Sequence, residues 1–542
     1  MLGIVTDFDS QRGLGHLIDE SGTRRFFPTK NVLGHTLPNA GSTVSFEPFL
    51  THSEVGGAAS LRVISVRSSV PLLNEVSEWK LEAKLEDSLR YFYQTDDVDA
   101  IEAGIRCYVI GRKGTGKTAI AEHLLKKSEP HRFGRKLSFK YFPFNDLYTR
   151  SNDRYTPPNQ YITLWKYLIY CSIAEMMAGN ENIESGVRLE LERLYRRELH
   201  ETLEKRVSRW TSRSFELKVI GSGVSVGLER GATPNEAPWI QRVAFLEDLI
   251  LRHLDDARYF VIFDELDEDY KNLATEGAGD QYSALLTSLF KAVQDIKAVF
   301  RPPQHNILPV IFLRDDIYET VRDPDRTKWS DLLIELDWKR DKMQRLLRFR
   351  LSRALDPEGK ILPFDEAWAS FFVPEPILYS SNKQTSTFSF ISNSTLSRPR
   401  DFVRYLRDCA LGARLKGAPF VTPYLIKQAN AGFSDYLRSE FEDELREILP
   451  DIHEILNALG AMQKMYFRGD DFSRVVRGNV DSGKMHHCDP GHVLEILFRF
   501  SILGSLSGSQ KPIFRYLDKG AMCNPKGVFC VHRGLCPSLH II

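Results

Sequence analysis

The chain has 542 residues, of which 42% are hydrophobic and 27% are charged. This composition excludes an extensively disordered protein, and the length exceeds what one hydrophobic core usually supports, so several domains are expected. Lys plus Arg and Asp plus Glu both number 72, so the overall charge favours neither a nucleic acid nor a membrane surface as the partner.

The cysteines and the apolar segments indicate a cellular compartment. Seven cysteines are sparse and mostly embedded in apolar runs, which favours reduced thiols. No segment approaches the ~18 uninterrupted apolar residues of a membrane helix. Met1 leads directly into a strand-like pattern rather than a signal peptide. We therefore expect a cytoplasmic protein without a membrane partner.

Residues 1–68 are predicted to form a small all-β barrel of five strands. Short alternating runs are separated by the turn-forming segments SQRG, ESGT and NAGS. The runs are GIVTDF, GLGHLI, RRFFP, STVSFEPF and SLRVISV. The first two, together with TRRFFPTKNV, resemble the first three strands of the cold-shock domain, an OB-fold that binds single-stranded nucleic acid.

This resemblance implies a nucleic-acid surface, but the sequence departs from the family there. The candidate contact residues are Phe8, Arg12, His16 and Phe26. Asp7 stands where the family has Trp, and other family aromatics are also replaced. Because each stacked base contributes roughly 1–3 kcal/mol, the stacking surface is reduced. Basic and acidic residues are balanced in this segment. A barrel that contacts another protein is therefore an open alternative.

A phosphate-binding loop is predicted at residues 111–118, after a helical linker at 69–100. The apolar strand CYVI runs into GRKGTGKT and then into the helical AIAEHLLKK, which is the context that this motif requires. The glycines permit the tight turn that points successive N–H groups at phosphates, and the helix adds its positive end. The residues expected to bind the nucleotide are Gly111, Arg112, Lys113, Gly114, Thr115, Gly116, Lys117, Thr118 and Ala119.

Two side chains of the loop have expected roles in catalysis and metal binding. Lys117 is expected to reach the β- and γ-phosphates, and the Thr118 hydroxyl is expected to ligate Mg²⁺. No guanine-specifying NKxD-type motif is apparent. ATP and Mg²⁺ are therefore the expected cofactors.

The second half of the predicted site is the acidic segment DELDED, which follows the apolar run YFVIF. Asp264 is expected to hold Mg²⁺, and a neighbouring carboxylate is expected to activate the attacking water. The AAA+ pattern makes Glu265 this base, whereas the STAND pattern places a second acidic pair at Asp267 and Glu268. Glu265 is the first choice and Asp267 the second.

Two arginines are candidate sensors of the γ-phosphate. Arg314 follows the apolar strand ILPVIFL and corresponds to the position called sensor 1. The alternative there is a turn that caps the next helix through Asp315 or Asp316. The segment SRPRD resembles the second sensor of AAA+ ATPases, with Arg400 the first choice and Arg398 the second. A routine helix start at a proline is the alternative.

Three further segments have less specific predictions. The helix predicted at 338–355 carries arginines at 345, 348, 350 and 353, which are either solvated or include an arginine finger for a neighbouring subunit. An insertion at about 140–240 contains predicted helices at 162–177 and 184–210 and a hairpin at 215–231. The pattern of residues 441–542 resembles a winged-helix domain, which contacts DNA or protein. Its cysteines lack zinc-ligand spacing.

Together these motifs resemble bacterial P-loop ATPases related to AAA+ origin-recognition and STAND ATPases, which are often found in antiphage defence. The expected fold is multidomain α/β, with a parallel-sheet core and helical lid between a β-barrel and a winged helix. The expected domains are 1–68, 69–100, 101–355, 356–440 and 441–542. The resemblance implies an ATP-driven switch that acts on a protein partner, a second copy of the chain or nucleic acid. The alternatives are a nucleic-acid-binding scaffold with a structural nucleotide and a regulatory adaptor of an effector nuclease.

Overall fold

A computed structural model describes most of the chain in two units. The described residues exclude 1, 10–12, 20–21, 29–31, 33–37, 39–41, 50–59, 69, 128, 141–143, 157–158, 196–201, 213–237, 268–277, 302–304, 381–382, 507–511 and 542. Unit 1 comprises Met1–Tyr93 and Trp338–Ile542, and unit 2 comprises Gln94–Asp337. Unit 2 is therefore inserted in the sequence of unit 1.

Unit 1 begins with a five-stranded antiparallel sheet in the order β3-β2-β1-β4-β5. The strands are β1 Leu2–Asp9, β2 Leu14–Asp19, β3 Arg24–Pro28, β4 Ser42–Phe49 and β5 Ser60–Ser68. The alternating pattern places Val5, Leu17, Phe27, Val44 and Phe46 in one buried cluster. The five predicted strands are confirmed. The edge strands β3 and β5 approach each other, and closure into a barrel stays a prediction.

The segment that was predicted to be a helical linker is only partly helical. It contains α1 Val70–Ser77, α2 Ser88–Tyr91 and α3 Asp96–Glu102. Residues 78–87 leave the helix, and the Asp87 side chain caps α2 by accepting the N–H groups of Leu89 and Arg90. Leu72, Leu73 and Trp79 are buried in the core of unit 1. Much of this segment is therefore part of a packed domain.

Unit 2 is built on a parallel sheet of five strands in the order β10-β6-β9-β8-β7. The strands are β6 Tyr108–Ile110, β7 Arg132–Ser138, β8 Arg258–Asp264, β9 Asn306–Leu313 and β10 Leu333–Glu335. Strands β6, β8 and β9 are nearly continuous apolar runs, as expected for a sheet covered on both faces. All five carboxyl ends meet at one edge of the sheet. This is the edge at which open α/β sheets bind ligands.

The helices of unit 2 lie around this sheet. Besides α3, they are α4 Lys117–Lys126, α5 Asn145–Tyr148, α6 Ile162–Ala178, α7 Ser185–Tyr195, α8 Leu203–Ser212, α9 Pro238–His253, α10 Ala278–Val299 and α11 Asp315–Thr320. Helix α6 confirms the prediction at 162–177. The helix predicted at 184–210 corresponds to α7 and α8. The predicted hairpin at 215–231 lies outside the described residues.

The remainder of unit 1 starts with a helical region. Its elements are α12 Arg340–Leu355, α13 Phe364–Ala369, β11 Ile377–Ser380, β12 Lys383–Thr385, α14 Thr387–Ser394, α15 Pro399–Leu415 and α16 Pro423–Leu445. The helix predicted at 338–355 is confirmed. Its Met343, Leu347 and Leu351 are buried in the same core as Phe402 and Leu406 of α15. The apolar faces of the two helices therefore contribute to one core.

The last part of unit 1 alternates helices and strands. Its elements are α17 Ile452–Ala461, β13 Tyr466–Arg468, α18 Gly469–Asp481, α19 Pro490–Arg499, β14 Leu503–Leu506, β15 Pro512–Ile513 and β16 Val528–Val531. The strands form an antiparallel sheet in the order β13-β16-β14-β15. Strand β15 is short, because the chain turns directly after it, where the N–H groups of Leu517 and Asp518 bond to the Phe514 carbonyl. No helix among the described residues is long and apolar enough to cross a membrane.

Candidate nucleotide-binding site

The loop between β6 and α4 has the backbone geometry of a phosphate cradle. Gly114 and Gly116 have φ values of 83° and 99°, in the left-handed region that favours glycine. A Cβ atom on Gly111 would lie 2.6 Å from Thr115 Oγ1 and 3.0 Å from Leu336 Cβ. Three glycines of the motif are thus required by conformation or space. The Thr115 hydroxyl donates to the Arg112 carbonyl at 2.8 Å and braces the turn.

Lys117 begins α4, and its side chain folds over the loop. Its Nζ donates to the carbonyls of Gly111 at 2.6 Å and Arg112 at 3.0 Å. Burial lowers the pKa of Lys117, while the nearby carboxylates of Asp267 and Asp315 act in the opposite direction. Within the described part of the chain, these two backbone carbonyls are the hydrogen-bond acceptors of the Lys117 ammonium. Thr118 and Ala119 follow in the first turn and are half-buried.

Asp264 is the last residue of β8 and is 3% exposed. Its Oδ2 lies 2.8 Å from Nζ of Lys136, a residue of the neighbouring strand β7 that sequence reasoning missed. Burial by itself lowers the pKa of Lys136, but the carboxylates of Asp264, Glu265 and Glu122 together outweigh this effect, so the pKa is raised. The predicted magnesium ligand is thus paired with a buried ammonium.

Glu265, the first choice for the base, lies immediately beyond the strand. Its φ of 60° is unusual for a residue other than glycine. Its carboxylate accepts a hydrogen bond from the Ser138 hydroxyl, and Ser138 pairs with Asp264 in the register of β7 and β8. Sequence reasoning missed Ser138 as well. The signal for both residues was their place near the carboxyl end of a strand, but RFGRKLS carries too many charges to predict a buried strand.

Arg314 lies at the carboxyl end of β9, between the strand that leads to the loop and the strand that ends in Asp264. Its guanidinium donates to both carboxylate oxygens of Asp316, at 3.0 and 2.6 Å. Its Nη1 also lies 3.7 Å from Oδ2 of Asp267. Helix α11 starts here, and Asp315 accepts the N–H of Asp316 at 3.0 Å. The position predicted for sensor 1 is thus also a helix start.

The unit 2 candidates therefore lie at one edge of one sheet. The loop, Asp264, Glu265 and Arg314 follow β6, β8 and β9 at their carboxyl ends. The charges of Asp264, Asp267 and Arg314 all act on the Lys117 ammonium. The Asp267 carboxylate opposes the effect of burial on the pKa of Lys117. The choice between Glu265 and Asp267 as the base stays a prediction.

The arginine candidates of the SRPRD segment belong to unit 1. Helix α15 begins at Pro399 with Arg398 as its N-cap. Arg398 is 2% exposed and makes ion-pair hydrogen bonds with both oxygens of Asp401, each at 3.0 Å from Nε. Asp401 raises the pKa of Arg398 despite burial. Arg400 is half-buried, and its Nη1 lies 3.9 Å from Oε2 of Glu440. These contacts favour Arg400 over Arg398 as the residue available to a ligand.

The arginines of α12 also differ in how far their side chains are buried and bonded to other residues. Arg350 is buried, donates to both oxygens of Glu86, and packs its guanidinium over Trp79 at 4.4 Å. Arg353 donates to the carbonyls of Pro357 and Gly359. Both side chains stabilise unit 1. Only Arg345 of the four is exposed.

The candidate nucleic-acid residues that the structure describes in the first sheet already contact neighbouring aromatic side chains. Phe8 stacks on Phe27 with ring centroids 6.0 Å apart, and His16 meets Phe26 edge to face at 5.8 Å. Asp7 binds His16 and Arg24, each at 2.8 Å, and the hydrogen bond from His16 lowers the pKa of Asp7. A carboxylate that is paired with Arg24 and His16 therefore lies beside the aromatic pair. Arg12 lies outside the described residues.

The described cysteines are free thiols, and none belongs to a metal-ligand cluster within the described part of the chain. The one group of histidine and carboxylate ligands found there is His131, Asp255 and Asp256. It lies at the amino ends of β7 and β8, opposite the edge that carries the loop. Asp255 already accepts hydrogen bonds from Asn180 and Tyr259. These residues do not contribute to the candidate nucleotide site.

Comparisons with known proteins match a family to part of the chain. The FunZ-associated C-terminal helical domain matches residues 341–442, which run from the first turn of α12 to the last turn of α16. No curated protein matches the chain.

Several solved structures are similar in outline. The ORC2 protein of Aeropyrum pernix, in ADPNP–ADP complexes, is 13% identical, with a TM-score of 0.37 over 82% of this chain and 89% of that chain. The Aeropyrum pernix ORC1 protein in complex with DNA is 12% identical, with a TM-score of 0.36 over 85% and 96%. Drosophila ORC bound to DNA is 13% identical, with a TM-score of 0.30 over 91% and 95%. Similarity at this level does not assign a function.

Proposed function

We propose that this protein is an ATP-binding and ATP-hydrolysing molecular switch of the AAA+ or STAND type. One observation carries the proposal: the GRKGTGKT loop and the Asp264–Glu265 pair meet at the carboxyl edge of one parallel sheet. A P-loop at the start of a helix supplies phosphate-directed N–H groups, and a carboxylate beside it supplies a metal ligand.

The residues present fit ATP and Mg²⁺. Gly114 and Gly116 adopt the left-handed backbone conformations of the loop, and the Lys117 ammonium donates there to the carbonyls of Gly111 and Arg112. Asp264 and the Thr118 hydroxyl are the oxygen ligands that would hold Mg²⁺, which would neutralise charge on the β- and γ-phosphates. In this proposal Lys117 orients the phosphates.

A base and two sensors complete the proposed site. Glu265 accepts a proton from the attacking water, with Asp267 as the alternative base. Arg314 responds to the γ-phosphate from the end of β9. Arg400 is the second sensor and couples loss of the γ-phosphate to movement of the helical lid that we assign to residues 356–440.

The partner of the switch is either a protein or a nucleic acid. We propose an OB-like barrel at 1–68, supported by the proximity of the edge strands β3 and β5, and a winged-helix-like domain at 441–542, supported by the order of its helices and strands. The Asp7 carboxylate beside His16 and Phe26 favours a protein partner for the barrel. We further propose a cytoplasmic role in antiphage defence, from the resemblance of the motifs alone.

The test separates binding from hydrolysis. Lys117→Ala is expected to abolish ATP binding in equilibrium dialysis, whereas Lys205→Ala, on the exposed face of α8, is expected to bind as the unchanged protein does. Glu265→Gln is expected to bind ATP but to turn it over at least about 10²-fold more slowly, within the usual range for loss of a general base. Turnover that survives Lys117→Ala contradicts the proposal.

The rival function is a nucleic-acid-binding scaffold in which the nucleotide is structural. ATP turnover measured with single-stranded RNA, single-stranded DNA and duplex DNA distinguishes the two. Tight, strongly salt-dependent binding without turnover would favour the scaffold. A regulatory adaptor for a nuclease is the third reading, and it predicts ATP-dependent association with a nuclease but no cleavage by the chain alone.

A further inference from the structure

Lys136 links the two halves of the proposed nucleotide site. It lies on β7, and its Nζ is 2.8 Å from Asp264 Oδ2 at the end of β8 and 3.3 Å from Glu122 Oε1 on α4, the helix that follows the loop. Its side chain is 14% exposed and that of Asp264 is 4% exposed. Burying an ion pair of this kind costs desolvation energy for both partners. One partner is the proposed metal ligand Asp264, so the presence of the pair requires an explanation.

The register of the sheet explains how Lys136 reaches this position. Lys136 pairs with Ile262 and Ser138 pairs with Asp264 along the parallel strands. Side chains two residues apart in a strand lie on the same face, so Lys136, Ser138, Ile262 and Asp264 share one face. Helix α4 contacts both strands, which brings Glu122 to the ammonium. Lys136 is thus fixed by three separate elements.

The charge of Lys136 opposes a cation at Asp264. An ammonium within 3 Å of a carboxylate oxygen already supplies the positive charge that a divalent ion would supply, and it repels that ion in a poorly solvated setting. A bound triphosphate adds several negative charges at the same edge and changes this balance in favour of metal.

We propose that Lys136 is a resident counter-ion of Asp264 that makes metal binding at this carboxylate conditional on nucleotide. This inference rests on the proposed function, since it takes Asp264 as the metal ligand. Lys136 is a positioning residue here: it holds the carboxylate in place before metal and nucleotide arrive together. Glu122 restrains the ammonium and sets how much of its charge acts on Asp264.

The proposal is tested with Mn²⁺ as the probe, by electron paramagnetic resonance on the full chain without nucleotide. Lys136→Met is expected to bind Mn²⁺ roughly tenfold more tightly than the unchanged protein, because the repelling charge is gone. Lys136→Arg keeps the charge and is expected to bind as the unchanged protein does. Lys166→Met is the matched control, since Lys166 forms a similar pair with Glu247 in α6 and α9.

Two further variants protect the test against folding defects. Glu122→Gln keeps Lys136 but removes the charge of the second carboxylate that the ammonium contacts. More of the positive charge of Lys136 then acts on Asp264, so Mn²⁺ affinity is expected to fall a few-fold. Lys136→Met combined with Asp264→Asn is expected to lose the gained affinity. An unchanged Mn²⁺ affinity in both Lys136→Met and Glu122→Gln overturns the inference, as does a gain that persists without the Asp264 carboxylate.

Failure of this inference differs from failure of the proposed function. If the unchanged protein binds no ATP, the proposed function is wrong whatever the metal measurements give. If it binds ATP through Lys117 while the Lys136 variants leave Mn²⁺ binding unchanged, only the counter-ion role is wrong.

Discussion

The Ser138 hydroxyl donates a hydrogen bond to the carboxylate of Glu265 across the neighbouring strands β7 and β8. Strand β7 lies at the edge of the sheet, on the side of β8 remote from β6 and the phosphate loop. The carboxylate of the proposed base is thus bound by a hydroxyl on the edge strand, on the far side of β8 from the loop.

Replacing Ser138 is therefore expected to release the base. Ser138→Ala should raise basal ATP turnover by roughly two- to tenfold, an energy of about 0.4–1.4 kcal/mol that is typical of one hydrogen bond. Steady-state phosphate release measures the turnover, and the dissociation constant of ATP should stay unchanged. Ser138→Thr keeps the hydroxyl and is the control. Lower turnover in Ser138→Ala would show that the hydrogen bond instead holds Glu265 in its working position.

Substitution of Arg314 distinguishes its proposed role as a γ-phosphate sensor from a role limited to the start of helix α11. If Arg314 contacts the γ-phosphate in the proposed complex, Arg314→Ala should lower turnover by about 10²-fold, as loss of one charge-stabilising donor does. ATP affinity should change much less. The capping alternative predicts normal turnover and a loss of stability, which thermal unfolding would detect. Asp316→Asn weakens the ion pair with Arg314 without removing the guanidinium, so it should retain more activity than Arg314→Ala.

Local sequence determined how much of the site was predictable. The loop and Asp264–Glu265 are contiguous motifs that follow apolar strands, so local sequence is enough to propose them as site residues. Lys136 and Ser138 lie near Asp264 and Glu265 only because β7 pairs with β8. This pairing joins residues that are far apart in the sequence. The charged sequence of β7 also hid the strand, because its basic residues are satisfied by acidic partners elsewhere in the chain, such as Glu175 for Arg135.

The helical linker was mispredicted for a similar reason. Its composition favours helix, but Asp87 starts a new helix, and Glu86 pairs with Arg350 more than two hundred residues away. This buried pair outweighs local propensity, which contributes less than about 1 kcal/mol per residue. By contrast, the start of α15 at Pro399 was predictable, because proline at the first helical position needs no distant partner.

The neighbouring arginines Arg398 and Arg400 should affect different properties. Arg398→Ala leaves the fully buried Asp401 without its cation and should destabilise the protein by about 3–5 kcal/mol, the cost of breaking a buried pair. Arg400→Ala removes a half-buried group with one distant partner and should leave stability nearly unchanged while it lowers ATP turnover. Urea unfolding and phosphate release measure the two effects. Equal losses of stability in both variants would contradict this division.

The partly buried ammonium of Lys117 should make the stability of the nucleotide-free protein depend on pH. Burial lowers its pKa below the ordinary value of 10.5, so between the folded pKa and 10.5 the unfolded chain binds more protons than the folded one. Stability contributed by this residue therefore rises with pH through that window and is lowest below it. Lys117→Met removes the cost and should raise the midpoint of thermal unfolding most near neutral pH, with the gain over the unchanged protein shrinking as the pH approaches 10.5. Because the same substitution should abolish ATP binding, added ATP should raise the midpoint only for the unchanged protein. A variant that is less stable at neutral pH would show that the bonds to the Gly111 and Arg112 carbonyls outweigh the cost of burial.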